Sequence, residues 1–223
     1  MARIHDELAD DEIDRLAALY APLGASVRDL VDAAIRTEVD ELEVRAVTAE
    51  IEAIVARLRT RQSAGAFGIP YGASGRSRPW GNAAIGLRNG IAPPLRVVRG
   101  PEGRVWSDVT LGAAYEGPPG LVHGGVAALV LDHVMGECAS ATGRPGYTGT
   151  LTLRYRAGAP LGSLRVDAWV ESANGAKTVI HGALRAGDLT CVEAEGIFVV
   201  PRDLRGGPPV DLLGESVHGS VTS

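Results

Sequence analysis

The chain is poor in several kinds of residue, and each shortage excludes a class of protein. Only two cysteines, Cys138 and Cys191, occur among its 223 residues, which argues against a disulfide framework and against a cysteine-rich metal site. No run of about 18 apolar residues is present, and the first residues lack the apolar core of a secretory signal. The composition therefore predicts a soluble, cytoplasmic protein with no membrane partner.

Basic residues are fewer than acidic ones, 22 against 27, and this limits the kinds of partner that the protein is expected to bind. The formal net charge is −5, and Lys177 is the only lysine, so nucleic acid is not an expected partner. The acidity is concentrated at one end, because the stretch up to Ser63 holds 8 arginines against 14 acidic residues. The length suits one domain with an extension, or two small domains.

Residues 1–64 predict an N-terminal helical extension. No glycine or proline occurs from Ala25 to Ala64, and apolar residues recur there at three- and four-residue steps, as one face of a helix requires. Pro22 to Gly24 predict one break, and the acidic segment from Thr37 to Arg45 predicts a bend or a second break. Two roles stay open for the extension: packing or dimer stabilisation, and regulation or partner binding.

The next segment has a different composition. Residues 65–94 are rich in glycine and proline, which predicts a linker or long loop. The chain then changes to alternating segments over residues 95–201, which we assign to one domain. Residues 202–223 are typical of a flexible C-terminal tail.

The central part, residues 95–201, combines strands with one helix. Apolar and polar residues alternate in several segments, as in half-buried strands, and Gly175 and Gly187 mark hairpin turns. Residues 121–142 are instead hydrophobic on every side, which requires burial on nearly every side. The sequence therefore predicts an α+β fold in which an antiparallel sheet of five or six strands curls around a central helix. Gly196 predicts a bulge in the last strand.

One carboxylate lies in the most apolar part of this helix. Asp132 stands among valine, leucine and alanine, where an ionised carboxylate without partners is costly. The helix opens at His123-Gly124-Gly125, and free backbone N–H groups at such a helix start can bind an oxyanion or a thioester carbonyl. The two features together indicate acyl-transfer chemistry, and hydrolysis is the acyl transfer that we expect.

Three elements of this region match a known family. They are the run Gly-Pro-Pro-Gly-Leu-Val-His-Gly-Gly from Gly117 to Gly125, Asp132 nine residues after the histidine, and Thr148 sixteen residues after the aspartate. With these spacings, residues 82–201 resemble the hotdog-fold acyl-CoA thioesterases, in particular the phenylacetate-type group. The resemblance covers a little over half of the chain and leaves out the N-terminal helices.

The resemblance implies a role for each residue of the site. In that family the aspartate is the catalytic carboxylate, so Asp132 would act as a general base on water or as a nucleophile. The backbone N–H of Gly124 or Gly125 would bind the thioester carbonyl, and Thr148 would orient the attacking water. His123 would either polarise that carbonyl or fix the turn through a ring hydrogen bond.

The family also implies an obligate dimer, and helix geometry agrees with it. His123 and Asp132 are nine positions apart, or ~900° at ~100° per residue, which places them on opposite sides of the helix. A two-fold pair of chains can bring the glycine turn of one copy to the aspartate of the other. We therefore expect a homodimer or tetramer that hydrolyses an acyl-CoA. One departure from the family is Gly117, because many members carry an asparagine or glutamine about six residues before the histidine.

The resemblance implies no cofactor, since coenzyme A enters only as part of the substrate. Coenzyme A carries phosphates, so basic side chains near the site entrance should bind it, and the candidates are Arg154, Arg156 and Lys177. On the helix, His133 and Glu137 are four residues apart and could pair with each other or with solvent. No third ligand for a metal is evident beside them, so we expect no metal site.

Two other functions stay open. An acyl-CoA hydratase or dehydratase would need a paired aspartate and histidine on one face, which the offset between His123 and Asp132 disfavours. A non-catalytic module would bind an acyl-CoA or a lipid without cleaving it, and its N-terminal helices would recruit a partner.

Overall fold

A curled sheet and one long helix form the central part of the molecule. The computed structural model describes residues 4–93, 95–202 and 217–218. The helices in this part are α1 (Asp10–Arg36), α2 (Glu41–Arg59) and α3 (Gly124–Ala141). The strands are β1 (Ile4–His5), β2 (Pro70–Tyr71), β3 (Val98–Arg99), β4 (Val105–Leu111), β5 (Tyr147–Tyr155), β6 (Gly162–Asn174), β7 (Lys177–Ala186), β8 (Leu189–Val199) and β9 (Val217–His218).

The main sheet runs in the order β5-β8-β7-β6-β4-β3-β9. Strands β3 to β8 are antiparallel to their neighbours, and the two-residue β9 joins β3 in parallel. Gly175 and Gly187 have φ angles of 56° and 55°, which is the left-handed conformation that tight hairpin turns favour. The predicted α+β class and the two hairpins are confirmed, and so is the antiparallel sheet of five or six strands, since β3 to β8 form six, to which the short β9 is added.

Helix α3 lies against the inner face of this sheet, and this position accounts for its apolar composition. The core between helix and sheet includes Leu131, Met135, Ile180, Leu184 and Phe198, all of them fully buried. Each such side chain contributes about 1.5–3 kcal/mol through the apolar surface that it removes from water. A helix covered on most sides needs apolar residues on most sides, as the sequence predicted.

Gly196 is not at a bulge, so that prediction is wrong. Its strand keeps a regular register on both sides at this position, and β5 is irregular instead between Thr148 and Thr150. A Cβ atom on Gly196 would lie 2.9 Å from the Met135 Cε atom and 2.7 Å from the Phe198 ring. The glycine is therefore needed because the helix packs so closely on the sheet, and not because the strand bends.

Helix α1 continues through Pro22, so the predicted break at that point is wrong. Gly24 is buried on the helix face that meets the following loop segment, and a Cβ atom there would collide with the Leu87 carbonyl oxygen. This close packing keeps the helix intact although proline cannot donate its backbone hydrogen bond. The second predicted break is confirmed, because α1 ends at Arg36 and α2 begins at Glu41.

Residues 65–93 contain little regular structure but pack against α1. Tyr71, Trp80 and Ala92 are buried, and the Arg88 guanidinium lies 3.9 Å from the centre of the Tyr20 ring. The domain boundaries drawn from composition stay a prediction, and most of the predicted tail lies outside the described residues. No helix within the described ranges combines the length and the apolar character needed to cross a bilayer.

Candidate active site

The opening of α3 leaves one backbone donor free. The His123 ring caps the helix, because its Nδ1 atom accepts a hydrogen bond from the Gly125 N–H at 3.0 Å. The His123 carbonyl accepts from the Val126 and Ala127 N–H groups at 2.9 and 3.1 Å. Among the described residues, no group accepts from the Gly124 N–H. This amide is the donor that a helix start offers to an oxyanion.

The turn before the helix is held by hydrogen bonds on both sides. The His123 N–H donates to the Tyr115 carbonyl at 2.9 Å, and the Val122 N–H donates to the Ala159 carbonyl at 2.8 Å. The Gly120 N–H donates to the Glu116 carboxylate at 2.6 Å. These contacts fix the direction of the helix start. Of the two roles predicted for His123, the capping bond supports fixing the turn.

Asp132 has a partner on the edge strand. Its side chain is half-buried in the middle of α3, and its Oδ1 atom accepts a hydrogen bond from the Thr148 hydroxyl at 2.7 Å. Thr148 stands near the start of β5, the first strand in the sheet order. The structure therefore brings together the carboxylate and the hydroxyl that the sequence singled out. A hydrogen bond of this kind holds a carboxylate in one orientation.

Tyr155 is a site residue that the sequence analysis missed. It ends β5, and its hydroxyl donates to the Gly124 carbonyl at 2.9 Å. A Cβ atom on Gly124 would lie 3.3 Å from that hydroxyl oxygen, so the glycine and the tyrosine are fitted to each other. The alternation of Leu151, Leu153 and Tyr155 could have indicated the tyrosine, since it places all three on the face that meets the helix.

The two halves of the site are separated within one chain. Gly124 and Asp132 are eight residues apart, which is about 12 Å along the axis of α3. The attacking water must lie within about 3–3.5 Å of the thioester carbon and within hydrogen-bond reach of its base, so this separation disfavours the use of both groups of one helix by a single thioester. Both groups nevertheless contact β5, Asp132 through Thr148 and Gly124 through Tyr155.

A groove of about 650 Å³ lies beside the free amide. Its walls come from the helix start, from the end of β5 and from the loop that follows, and they are mainly apolar. They include Leu121, Gly124, Ala127, Tyr155 and Val192. The groove has the size and the character of a small-molecule site.

Of the three predicted phosphate-binding residues, Arg154 and Arg156 both adjoin Glu193, whereas Lys177 lies at the other end of the sheet. Arg156 borders the groove and pairs with the Glu193 carboxylate at 2.7 Å. Arg154 lines a separate hollow of about 320 Å³ that also contains Trp169 and His181. Lys177 begins β7, at the end of the sheet where β5 also begins. The chain by itself does not bring the three together.

The remaining polar residues of α3 belong to the core. The Glu137 carboxylate accepts from the Arg99 guanidinium at 2.8 Å, so neither partner predicted for it, His133 or solvent, is the one observed. His133 is buried, and burial lowers its pKa from 6.5 to about 4. Cys138 is fully buried, and burial raises its thiol pKa to about 12. These side chains have no route to a substrate at the Gly124 amide.

One group of side chains in the described ranges has metal-ligand character. Ligand atoms of Glu171, His181 and Glu195 lie within 4.8 Å of one another. The His181 ring nitrogen already contacts Glu171 at 2.9 Å, and both glutamates are exposed. The alternation of β7 and β8 places this group on the outer face of the sheet, on the side opposite α3. It therefore has no part in a site at Asp132.

Comparison with known proteins gives the family. The model of the thioesterase superfamily matches residues 119–193. The crystal structure of the thioesterase superfamily protein RHA08564 is 34% identical, with a TM-score of 0.72, over 81% of this chain and 94% of that one. This chain belongs to the thioesterase superfamily, and the predicted hotdog fold is confirmed.

Two further solved structures illustrate the group to which the chain is similar. A putative thioesterase related to phenylacetic acid degradation, from Ralstonia eutropha, is 28% identical over 48% of this chain and 83% of that one, with a TM-score of 0.44. The PaaI protein of the E. coli phenylacetic acid degradation operon is 15% identical over 53% of this chain and 84% of that one, with a TM-score of 0.48.

Proposed function

We propose that the protein hydrolyses an acyl-CoA thioester to a carboxylate and free coenzyme A. The observation that carries the proposal is the pairing of Asp132 with the Thr148 hydroxyl of β5, the strand whose Tyr155 hydroxyl also contacts Gly124, the residue with the free amide. A carboxylate and an unpaired amide donor are the two groups that thioester hydrolysis needs, one to remove a proton and one to stabilise an oxyanion.

The reaction would proceed by addition of water and loss of a thiol. Asp132 takes a proton from water as the water oxygen bonds to the thioester carbon, and the Thr148 hydroxyl holds the carboxylate in position. The carbonyl oxygen becomes an oxyanion, which accepts a hydrogen bond from the Gly124 N–H. The carbon–sulfur bond then breaks and the sulfur leaves as the coenzyme A thiolate, which takes back the proton held by Asp132. The carboxylic acid loses its remaining proton to solvent and leaves as the carboxylate.

The two halves of the site would come from two copies of the chain. Strand β5 ends the sheet order, and β8 is its single neighbour in the described sheet. It is nine residues long and mostly exposed, its one charged residue is Arg154, and its irregularity is confined to its start, between Thr148 and Thr150, so most of its length is open to pairing with another strand. We propose that two β5 strands pair in antiparallel orientation around a two-fold axis.

This pairing would solve the problem of distance. In an antiparallel pair, the start of one β5 lies beside the end of the other. The Thr148 end of one copy, with Asp132, then meets the Tyr155 end of the second copy, with Gly124. The same pairing would bring Lys177 of one copy towards Arg156 of the other, so that both could bind the phosphates of coenzyme A.

Replacement of Asp132 by asparagine tests the reaction. We expect Asp132→Asn to lower kcat for acyl-CoA hydrolysis by about 10²–10⁴, the usual contribution of a general base. A reagent for free thiol, applied to a panel of acyl-CoA esters, measures it. Asp167→Asn on the outer face, where the carboxylate pairs with Arg165, is the matched control. Unchanged turnover in Asp132→Asn would contradict the role of Asp132 as the base. If the wild type binds acyl-CoA tightly but releases no thiol, the protein is not a thioesterase and the proposed function is wrong.

Mixing of two inactive variants tests the composite site. Gly124→Pro removes the free N–H at the first helical position, the helical position that best accommodates proline, and its Cβ atom requires a small shift of the Tyr155 side chain. A mixed dimer contains one Asp132→Asn chain and one Gly124→Pro chain. One of its two composite sites contains both substitutions, and the other combines the unchanged Asp132 of one chain with the unchanged Gly124 of the other and is intact. Random mixing should therefore restore about a quarter of wild-type activity. A site made within one chain predicts no recovery, and that result would sink the composite arrangement.

A further inference from the structure

Helix α2 carries an apolar seam that the described chain does not cover. Val44, Val47, Ile51, Ile54 and Leu58 follow one another at steps of three, four, three and four residues, which is the a/d spacing of a coiled coil. No residue of α2 is buried. Val44, Ile54 and Leu58 expose 46%, 48% and 50% of their surface. The seam is about 21 Å long.

A helix with these surroundings needs a partner surface. Helices in proteins owe most of their stability to packing of an apolar face, and isolated ones are marginal in water. The Asp40 carboxylate caps α2, and the exposed Arg45–Glu41 ion pair spans one turn of it, but such local contacts add little. The seam is therefore the feature of α2 whose burial can stabilise it.

We propose that the seam packs against the α2 seam of a second copy of this chain, with the two helices antiparallel. The seam is self-complementary, because in an antiparallel pair each a residue meets a d residue of the other helix. With Val47 opposite Ile51 of the second copy, Glu43 lies beside Arg57 of that copy, and the symmetry gives this opposite-charge contact twice. Glu50 then lies beside its own equivalent, one like-charge contact against two opposite-charge contacts.

The flanking charges choose the antiparallel orientation over the parallel one. In a parallel pair, Glu43 would lie beside Thr48 of the second copy and Glu50 beside Val55, so neither would gain an opposite charge. Two attractive contacts are thus available in the antiparallel pair and none in the parallel pair. The proposal does not depend on the thioesterase reaction or on β5 pairing, because it concerns a separate surface.

Cysteine cross-linking of the full-length protein tests the orientation on α2 itself. The native Cys138 and Cys191 are buried, so introduced thiols report alone under mild oxidation. We expect Glu50→Cys to form a disulfide-linked dimer, because the two copies of this position adjoin in the antiparallel pair. Leu58→Cys should not, because its two copies lie about 27 Å apart there. Cross-linking of Leu58→Cys, or of neither variant, overturns the proposal.

Charge reversal gives a second, independent test by sedimentation velocity over a range of protein concentrations. We expect Arg57→Glu to weaken self-association through the α2 seam several-fold. The double variant Glu43→Arg/Arg57→Glu should restore that association. Arg59→Glu, outside the seam and its flanks, should have a smaller effect. Failure of the double variant to restore association, with the circular dichroism of all variants unchanged, would refute the Glu43–Arg57 contact and with it the antiparallel pair.

Discussion

Helices α2 and α3 have nearly the same length, 19 and 18 residues, but opposite surroundings. Helix α3 is buried on most sides, and among its few polar side chains Asp132 and Glu137 have side-chain partners, Thr148 and Arg99. Helix α2 has no buried residue, and its polar side chains face water on either side of a narrow apolar seam. The pattern of apolar residues distinguishes the two helices. In α3 apolar residues lie on all sides, and the sheet covers them. In α2 they form mainly a stripe of two positions in seven, which fits another helix.

The largest contrast should come from truncating a leucine on each helix. Leu131 is fully buried and Leu58 is half-exposed. We expect Leu131→Ala to lower the free energy of unfolding by about 2–5 kcal/mol, because it loses burial and leaves a cavity. Leu58→Ala should cost less than about 1 kcal/mol at low protein concentration. Urea denaturation measures both, and equal losses would show that α2 is packed as firmly as α3.

A second contrast concerns protonation of His133. Burial holds its folded pKa at about 4, below the value of 6.5 for the unfolded chain. Below pH 6.5 the unfolded state therefore binds a proton that the folded state does not, so stability falls as the pH drops from about 6.5 to about 4. The shift corresponds to about 3 kcal/mol. His133→Leu should have a shallower pH dependence of the unfolding free energy, and an unchanged slope would rule out this cause.

The smallest contrast uses two threonines. Thr148 donates to Asp132 at 2.7 Å, whereas Thr48 on α2 donates to the Val44 carbonyl at 2.8 Å. We expect Thr148→Val to lower kcat about 10–100-fold, since a hydrogen bond to a charged group is worth about 1.5–3 kcal/mol. Thr148→Ser should keep most of the activity, and Thr48→Val should leave kcat unchanged. A loss in Thr48→Val equal to that in Thr148→Val would mean that activity depends on the extension and not on this bond.

The sequence predicted the parts of the fold that depend on local pattern. The apolar run of α3, the alternation of the strands and the glycines of two hairpins gave the α+β fold. The site was partly predictable, because the spacing of Asp132 and Thr148 resembles a known family, and the two side chains do meet. The roles assigned to the site residues stay predictions until turnover is measured.

Other features could not be read from local pattern. Pro22 stays within α1 because Gly24 packs on the Leu87 backbone, and Gly196 is small because Met135 lies above it. Glu137 pairs with Arg99, 38 residues away in the chain. In each case the deciding neighbour is distant in sequence, so no window of adjacent residues contains it.

By itself the sequence determined the positions of most helices and strands of the central part, that one helix would be buried, and that Asp132 would lie within it. Only the tertiary structure decided that β5 lies at the edge of the sheet, that Tyr155 holds the start of α3, and that Asp132 and Gly124 meet the same edge. The reason is that strand order follows from non-local pairing, whereas hydrophobic periodicity reports only which face of each element is buried.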